Sequence, residues 1–268
     1  MSPDQANDVL SLQPLDFLPL WAVYILSVVM LLLASEAGYH LSKVIQRYRP
    51  DKAESSVSAL NGATLALLAF LMAFVTSIAV NNFADRRQAV VAEANAIGTT
   101  YLRAGYLPEP YAAESRQLLR EYVDRRLEAL DPTKIVQAIT RSEEIHAELW
   151  TRAETLAKES SSPTLALYIA SLNEVIDLHT DRIHVSLVAR IPWAIVLGLF
   201  LMALLSLGLV GLHAGYAERR NPVAMLAFVL TLSVVLLLIV DLGRGQSGLL
   251  TVPQQALIDL QRQFSLPQ

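Results

Sequence analysis

Four apolar runs punctuate the chain, at Phe17–His40, Ala59–Asn81, Ile191–His213 and Val223–Leu242. Each is about as long as the ~20 apolar residues a helix needs to cross a bilayer, so each predicts a span. From Phe83 to Arg190 polar positions return, in a helical rhythm. Leu107-Pro-Glu-Pro110 breaks the segment that leaves span two. Leu118, Leu119, Tyr122, Val123, Leu127 and Leu130 then recur at steps of three and four, the spacing of an amphipathic helix. Asp131-Pro132 reads as a cap followed by proline at the first helical position, opening a helix with Ile135, Ile139, Ile145, Leu149 and Leu156. Ser160–Pro163 ends that helix and caps another, which carries Leu167, Leu172, Ile176, Ile183 and Leu187; Pro192 marks the start of span three. No stretch alternates like a strand. The pattern predicts an all-α membrane protein: four transmembrane helices, with a helical insert of antiparallel hairpins between spans two and three.

The predicted units follow. Residues 1–58 hold a tail, span one and a basic loop; 59–104 hold span two and its continuation; 105–190 form the water-facing insert. Residues 191–242 hold spans three and four, and 243–268 a tail whose "PQQALIDLQRQF" reads as a short amphipathic helix on the membrane or the insert. Between Ala63 and Ile97 there is neither glycine nor proline. Span two is therefore expected to run unbroken into a charged helix. Leu60 to Arg103 would measure about 65 Å at ~1.5 Å per residue, about twice the ~30 Å hydrocarbon core.

Composition agrees. The chain is 53% hydrophobic and 17% charged, against about 25% charged in soluble domains. There is no cysteine, so disulfides, thiolate metal sites and a cysteine nucleophile are excluded. A net charge of −4 argues against a nucleic-acid partner. No lysine or arginine precedes span one, which therefore reads as a retained span and not a cleaved signal. Lys43, Arg47, Arg49 and Lys52 follow span one, and Arg219 and Arg220 follow span three. Positive loops face the cytoplasm, which places the termini and the insert on the opposite side. Arg86, Arg87, Arg182, Arg190 and Arg244 flank spans there and count against this orientation.

Two motifs then resemble the bacterial bestrophin-like family of four-span membrane proteins. One is "RRQAVVAEANAIGTTYLRA", Arg86–Ala104; the other is "DLGRGQSGLLTV", Asp241–Val252; "LNEVIDLHTDRIH", Leu172–His184, is similar to a third family segment. The second departs from the family's usual Asp-x-Asp-Arg-Pro-x-x-Gly, with Gly243 and Gly245 replacing the second Asp and the Pro. The resemblance implies a homo-oligomer in the bacterial inner membrane, pentameric if bestrophin-like, with span two lining an anion pore. It also implies a cytosolic helical domain, whereas loop charge puts the insert in the periplasm or outside.

Candidate residues follow from the faces. Gly62, Ala66, Ala69, Ala73 and Thr76 form a small-residue stripe on span two, suited to close helix packing or to a pore wall. Phe70 and Phe74 would form its apolar constriction, with Asn61, Thr64, Ser77 and Asn81 as polar contacts. Arg86 and Arg87, at the mouth of span two, either concentrate anions or pair with Asp85, Glu93 or carboxylates of the last insert helix. Glu174, Asp177, Asp181 and His184 share one face of that helix and, with Glu93, Asn95, Arg103 and Arg182, would make a polar seam. Asp181-x-x-His184 is a weak metal candidate, lacking the second copy a di-metal bundle wants. Glu36, with His40 and Lys43, belongs near the headgroups. Asp241 and Arg244 read as a local pair at the exit of span four. No cofactor motif or enzyme template is present: no phosphate-cradling glycine loop, no Gly-x-Ser-x-Gly, no His-Glu-x-x-His. The function readings are a homo-oligomeric channel for inorganic anions or a non-conducting membrane scaffold or sensor acting through its insert.

Overall fold

The computed structural model describes residues 17–48, 54–159, 162–188, 190–217, 220–244 and 248–266. The N-terminal tail before residue 17, the loop charges Arg49, Lys52 and Arg219, and Ser160, Ser161 and Gly245 lie outside these. Among the described residues all regular structure is helical: α1 (Leu20–Tyr48), α2 (Glu54–Ala104), α3 (Tyr111–Glu128), α4 (Ile135–Glu159), α5 (Pro163–Ile183), α6 (Trp193–Tyr216), α7 (Pro222–Gly243) and α8 (Gln255–Ser265). A π-helical turn, His184–Val188, follows α5 where the pattern predicts plain helix up to Leu187. Four helices are long and apolar enough to cross a membrane: α1, α2, α6 and α7. The chain divides into two compact units, one of Leu12–Asn82 with Arg190–Leu250 and one built from Phe83–Ala189 with Thr251–Gln268. Helix α2 passes from the first to the second as one uninterrupted helix of 51 residues.

In the first unit, α1 and α6 run parallel at backbone contact. A Cβ on Gly38 would lie 1.9 Å from the carbonyl oxygen of Gly208, one on Gly211 1.9 Å from that of Ser35, and one on Gly215 1.8 Å from Ser42 Oγ. Gly211 and Gly215 form a Gly-x-x-x-Gly step, the spacing that lets two backbones meet in lipid, where close packing replaces the hydrophobic drive. The tight contact therefore joins spans one and three. At the start of the small stripe of span two there is no such contact among the described residues: a Cβ on Gly62 would touch nothing.

In the second unit, the far half of α2 packs with α3, α4, α5 and α8 around Ile97, Tyr101, Leu119, Tyr122, Ile145, Leu149, Tyr168 and Leu172. Ser162 caps α5, its Oγ accepting from Leu165 N at 3.1 Å, with Pro163 in the first turn. Asp131 caps differently from expectation. Its carboxylate accepts from Thr133 N at 2.9 Å, closing a turn ahead of α4, which starts at Ile135. The C-terminal helix α8 buries Leu257, Leu260 and Phe264 in the core of this unit, and Phe264 stacks on Tyr101 with ring centroids 3.9 Å apart. Of the two resting places expected for it, α8 takes the insert.

Candidate functional site

The membrane part of α2 has two unlike sides. Leu68, Met72, Val75 and Ala79 are buried within the chain. Gly62, Ala66, Ala69, Ala73, Ser77 and Asn81 are exposed, as are Phe70 at 66% and Phe74 at 58%. Thr64 and Thr76 are half-buried, Thr64 Oγ1 donating to the Asn61 carbonyl at 3.1 Å. An open groove of about 640 Å³ runs beside this face, walled by Ala69, Met72, Ala73, Thr76, Ser77, Val80 and Asn81 of α2 and by Phe228, Thr231, Leu232 and Val235 of α7. It is apolar with a few hydroxyl and amide groups.

Asp241 and Arg244 do not form the local pair that their spacing predicts. The Asp241 carboxylate is buried and accepts from two backbone amides, Leu249 N at 2.8 Å and Leu250 N at 3.1 Å. Arg244 Nη2 donates to the Leu18 carbonyl at 2.6 Å. Asp241 thus folds the chain back after α7, and Gly248 fits because a Cβ there would fall 2.1 Å from Asp241 Oδ1.

The helical unit holds the densest group of buried charge. Glu93 of α2 is fully buried. Its Oε1 lies 2.9 Å from Arg126 Nε and accepts from Tyr122 Oη at 2.6 Å; its Oε2 pairs with Arg182. Arg182 Nη2 also donates to Gln254 Oε1 at 2.7 Å. Tyr122 has one proton, given to the carboxylate, so at the 3.0 Å contact between Tyr122 Oη and His179 Nδ1 the ring nitrogen is the donor. His146 packs edge-on to His179, with centroids 4.9 Å apart. Burial alone would raise the Glu93 pKa, but Arg126 and Arg182 outweigh it and hold the carboxyl down at about 2. Burial pushes His146 down to about 4 and His179, with Arg126 close by, down to about 3, so both rings are neutral at pH 7. One carboxylate and two guanidiniums leave this cluster at a net +1, a lock of four helix segments and the residue before α8.

The predicted seam is only partly assembled. Glu93 and Arg182 meet. Glu174, Asp177, Asp181, His184 and Asn95 face solvent, with Asp177 accepting from Asn173 at 2.8 Å. Arg103 reaches the Leu167 carbonyl at 2.8 Å. Asp181 and His184, the weak metal candidate, are both on the outside of the unit. Arg86 and Arg87 part company: Arg87 is exposed, whereas Arg86 is buried and donates Nε to the Val185 carbonyl at 3.3 Å. Arg86 is therefore not an open mouth charge in the single chain. Glu36 pairs with Arg220 more closely than with His40, whose Nε2 is 4.0 Å away. Sequence reasoning missed Arg126, His146, His179 and Gln254, and took Tyr122 as a plain core position. The signal was the phase: Leu172, Val175, His179 and Arg182 step by three, four and three along the buried stripe.

A family model described as a bestrophin-like domain matches residues 28–257. No curated protein matches. Among solved structures, a single-substitution variant of a bacterial bestrophin homologue from Klebsiella pneumoniae is similar at a TM-score of 0.66 and 15% identity, covering 91% of this chain and 97% of that one. Another crystal structure of a Klebsiella pneumoniae bestrophin homologue is similar at 0.65 and 16%, covering 92% and 97%. At such identity the likeness is one of fold.

Proposed function

Because the chain belongs to the bestrophin-like domain family and is a multi-pass membrane protein, we propose that it is the subunit of a homo-oligomeric, pentameric anion channel with α2 lining the pore. The observation that carries this reading is the uncovered face of α2. A helix that buries one side within its own chain and leaves Ala66, Ala69, Phe70, Ala73, Phe74 and Ser77 open suits a ring of copies around an axis, because one set of four spans encloses no water path. Small residues admit close approach of neighbouring helices. Phe70 and Phe74 would close an apolar neck that gates by dewetting, with Ser77 and Asn81 offering polar contacts next to it. Of the two mouth arginines, Arg87 is the one free to draw anions; Arg86 holds the backbone at Val185. No chemical reaction is assigned.

Loop charge supports a bacterial inner-membrane orientation with Lys43, Arg47 and Arg220 in the cytoplasm and the insert outside. Lys134→Cys, exposed and in a cysteine-free chain, should react with an impermeant maleimide on intact cells; labelling only after lysis reverses the orientation. The channel is tested by chloride recording in planar bilayers, where Phe74→Ala should raise conductance and Arg87→Glu should lower chloride preference. A monomer in detergent and in membranes, or silence from wild type and Phe74→Ala alike, refutes it and leaves the scaffold or sensor reading.

A further inference from the structure

At the end of spans one and three, cations converge on one aromatic ring. Lys43 Nζ lies 4.6 Å from the Tyr39 centroid and the Arg220 guanidinium carbon 4.9 Å from it. Glu36 pairs with Arg220, and Lys43 has no carboxylate partner among the described residues. The platform is held where it is by the contact of Gly215 with Ser42 and by Gln46 Nε2 donating to the Gly215 carbonyl at 3.0 Å. Three cations, Lys43, Arg47 and Arg220, stand here against the one carboxylate of Glu36. Apolar surface lies beside this charge: Leu41 and Val44 are about half exposed on α1. Tyrosine marks the headgroup level of a span, and basic pockets between span ends take acidic headgroups.

We propose that Tyr39, Lys43 and Arg220 form a binding site for the phosphate of an anionic phospholipid, with its acyl chains along the apolar surface of α1. Lys43 supplies the open charge. Arg220, paired with Glu36, offers its remaining N–H groups, and both cations lie against the Tyr39 ring. The juxtaposition of two cations, a ring and an apolar flank selects a lipid over free phosphate.

Native mass spectrometry of the delipidated full chain tests this, with phosphatidylglycerol and phosphatidylcholine as probes. Phosphatidylglycerol should bind preferentially, and K43Q/R220Q should weaken it by about 25-fold, at roughly fivefold per cation. The single variant K43Q breaks no ion pair and should cost about fivefold, while K43R should retain binding. A control of equal charge in the other unit, K158Q/R262Q, should leave affinity unchanged. Equal affinity in K43Q and wild type overturns the site, as does an equal loss in the control, which would mean a general field. Displacement by inorganic phosphate at lipid-equivalent concentration shows a site for phosphate alone and overturns the lipid assignment.

Discussion

Glu93→Gln is the substitution to which the helical unit should be most sensitive. The change keeps shape and one acceptor oxygen but removes the only carboxylate paired with Arg126 and Arg182 among the described residues, both arginines being almost fully buried. Breaking a buried pair by deleting one partner costs about 3–5 kcal/mol, because the remaining charge cannot recover its water. Here two guanidiniums are stranded within reach of each other, so the upper half of that range applies. Each ~1.4 kcal/mol is tenfold in an opening equilibrium, so hydrogen exchange at the slowest amides of α3, α4 and α5 should quicken by about three to four orders of magnitude. Exchange is the suitable readout because it reports this unit separately from the spans. A triple variant, E93M/R126M/R182M, should recover a large part of the loss, since an apolar core of similar volume replaces a buried ion group at little net cost. It will not recover all, as Tyr122 loses its acceptor. If Glu93→Gln leaves exchange within about threefold of wild type, or if the triple variant is worse than the single, the charge lock is not what holds these helices.

Three further predictions rest on other contacts. His146 and His179 take protons only near pH 4 and 3 in the fold but near 6.5 when unfolded; the unfolded chain therefore binds more protons between these values. Stability should be full above about pH 6.5 and fall as pH drops, by about 2 kcal/mol per ring at pH 5. Thermal unfolding between pH 5 and 7.5 checks this, and His146→Phe with His179→Phe should flatten the profile. Gly211→Ala should separate α1 from α6 at a cost of about 1–3 kcal/mol or more, read as a lower melting temperature in detergent, whereas Gly198→Ala, where a Cβ meets nothing, should be neutral. Asp241→Asn should leave one of the amides of Leu249 and Leu250 without its acceptor and cost about 1–3 kcal/mol; proteolysis after α7 should speed up, and an unchanged rate would show that the turn holds without the carboxylate.

Much of the fold was legible because each signal was local. Spans are read from length and apolarity, the unbroken α2 from the lack of glycine and proline, and the start of α5 from Ser162-Pro163. The site was less legible because burial depends on phase. On α5 the exposed Leu167 and half-buried Ile176 pulled the expected stripe round the helix, bringing Glu174, Asp177, Asp181 and His184 to the fore. The true stripe runs one residue away, through Val175, His179 and Arg182. Pairing across long sequence distance hid the rest: nothing near Glu93 announces Arg126 or Gln254. The glycines of α6 carried a readable Gly-x-x-x-Gly step, overlooked beside the more obvious alanine stripe of α2. Asp241 and Arg244 show the reverse error, in which helical spacing suggested a pair and the backbone supplied better partners.

The glycine contact between α1 and α6 also bears on how stiffness is distributed in the membrane. Where carbonyl oxygens lie against Cα atoms, as at Gly38 and Gly211, a helix can neither slide nor roll by a fraction of a turn without collision. Those two spans must move as one body. Between α2 and α7 lies instead an open groove walled by Met72, Phe228 and Leu232, side chains with free space beside them that can change rotamer while the backbones shift. One seam of the unit is therefore rigid and the other yielding, so displacement of α2 is the soft coordinate of the membrane part, while α1 and α6 provide the fixed frame it moves against.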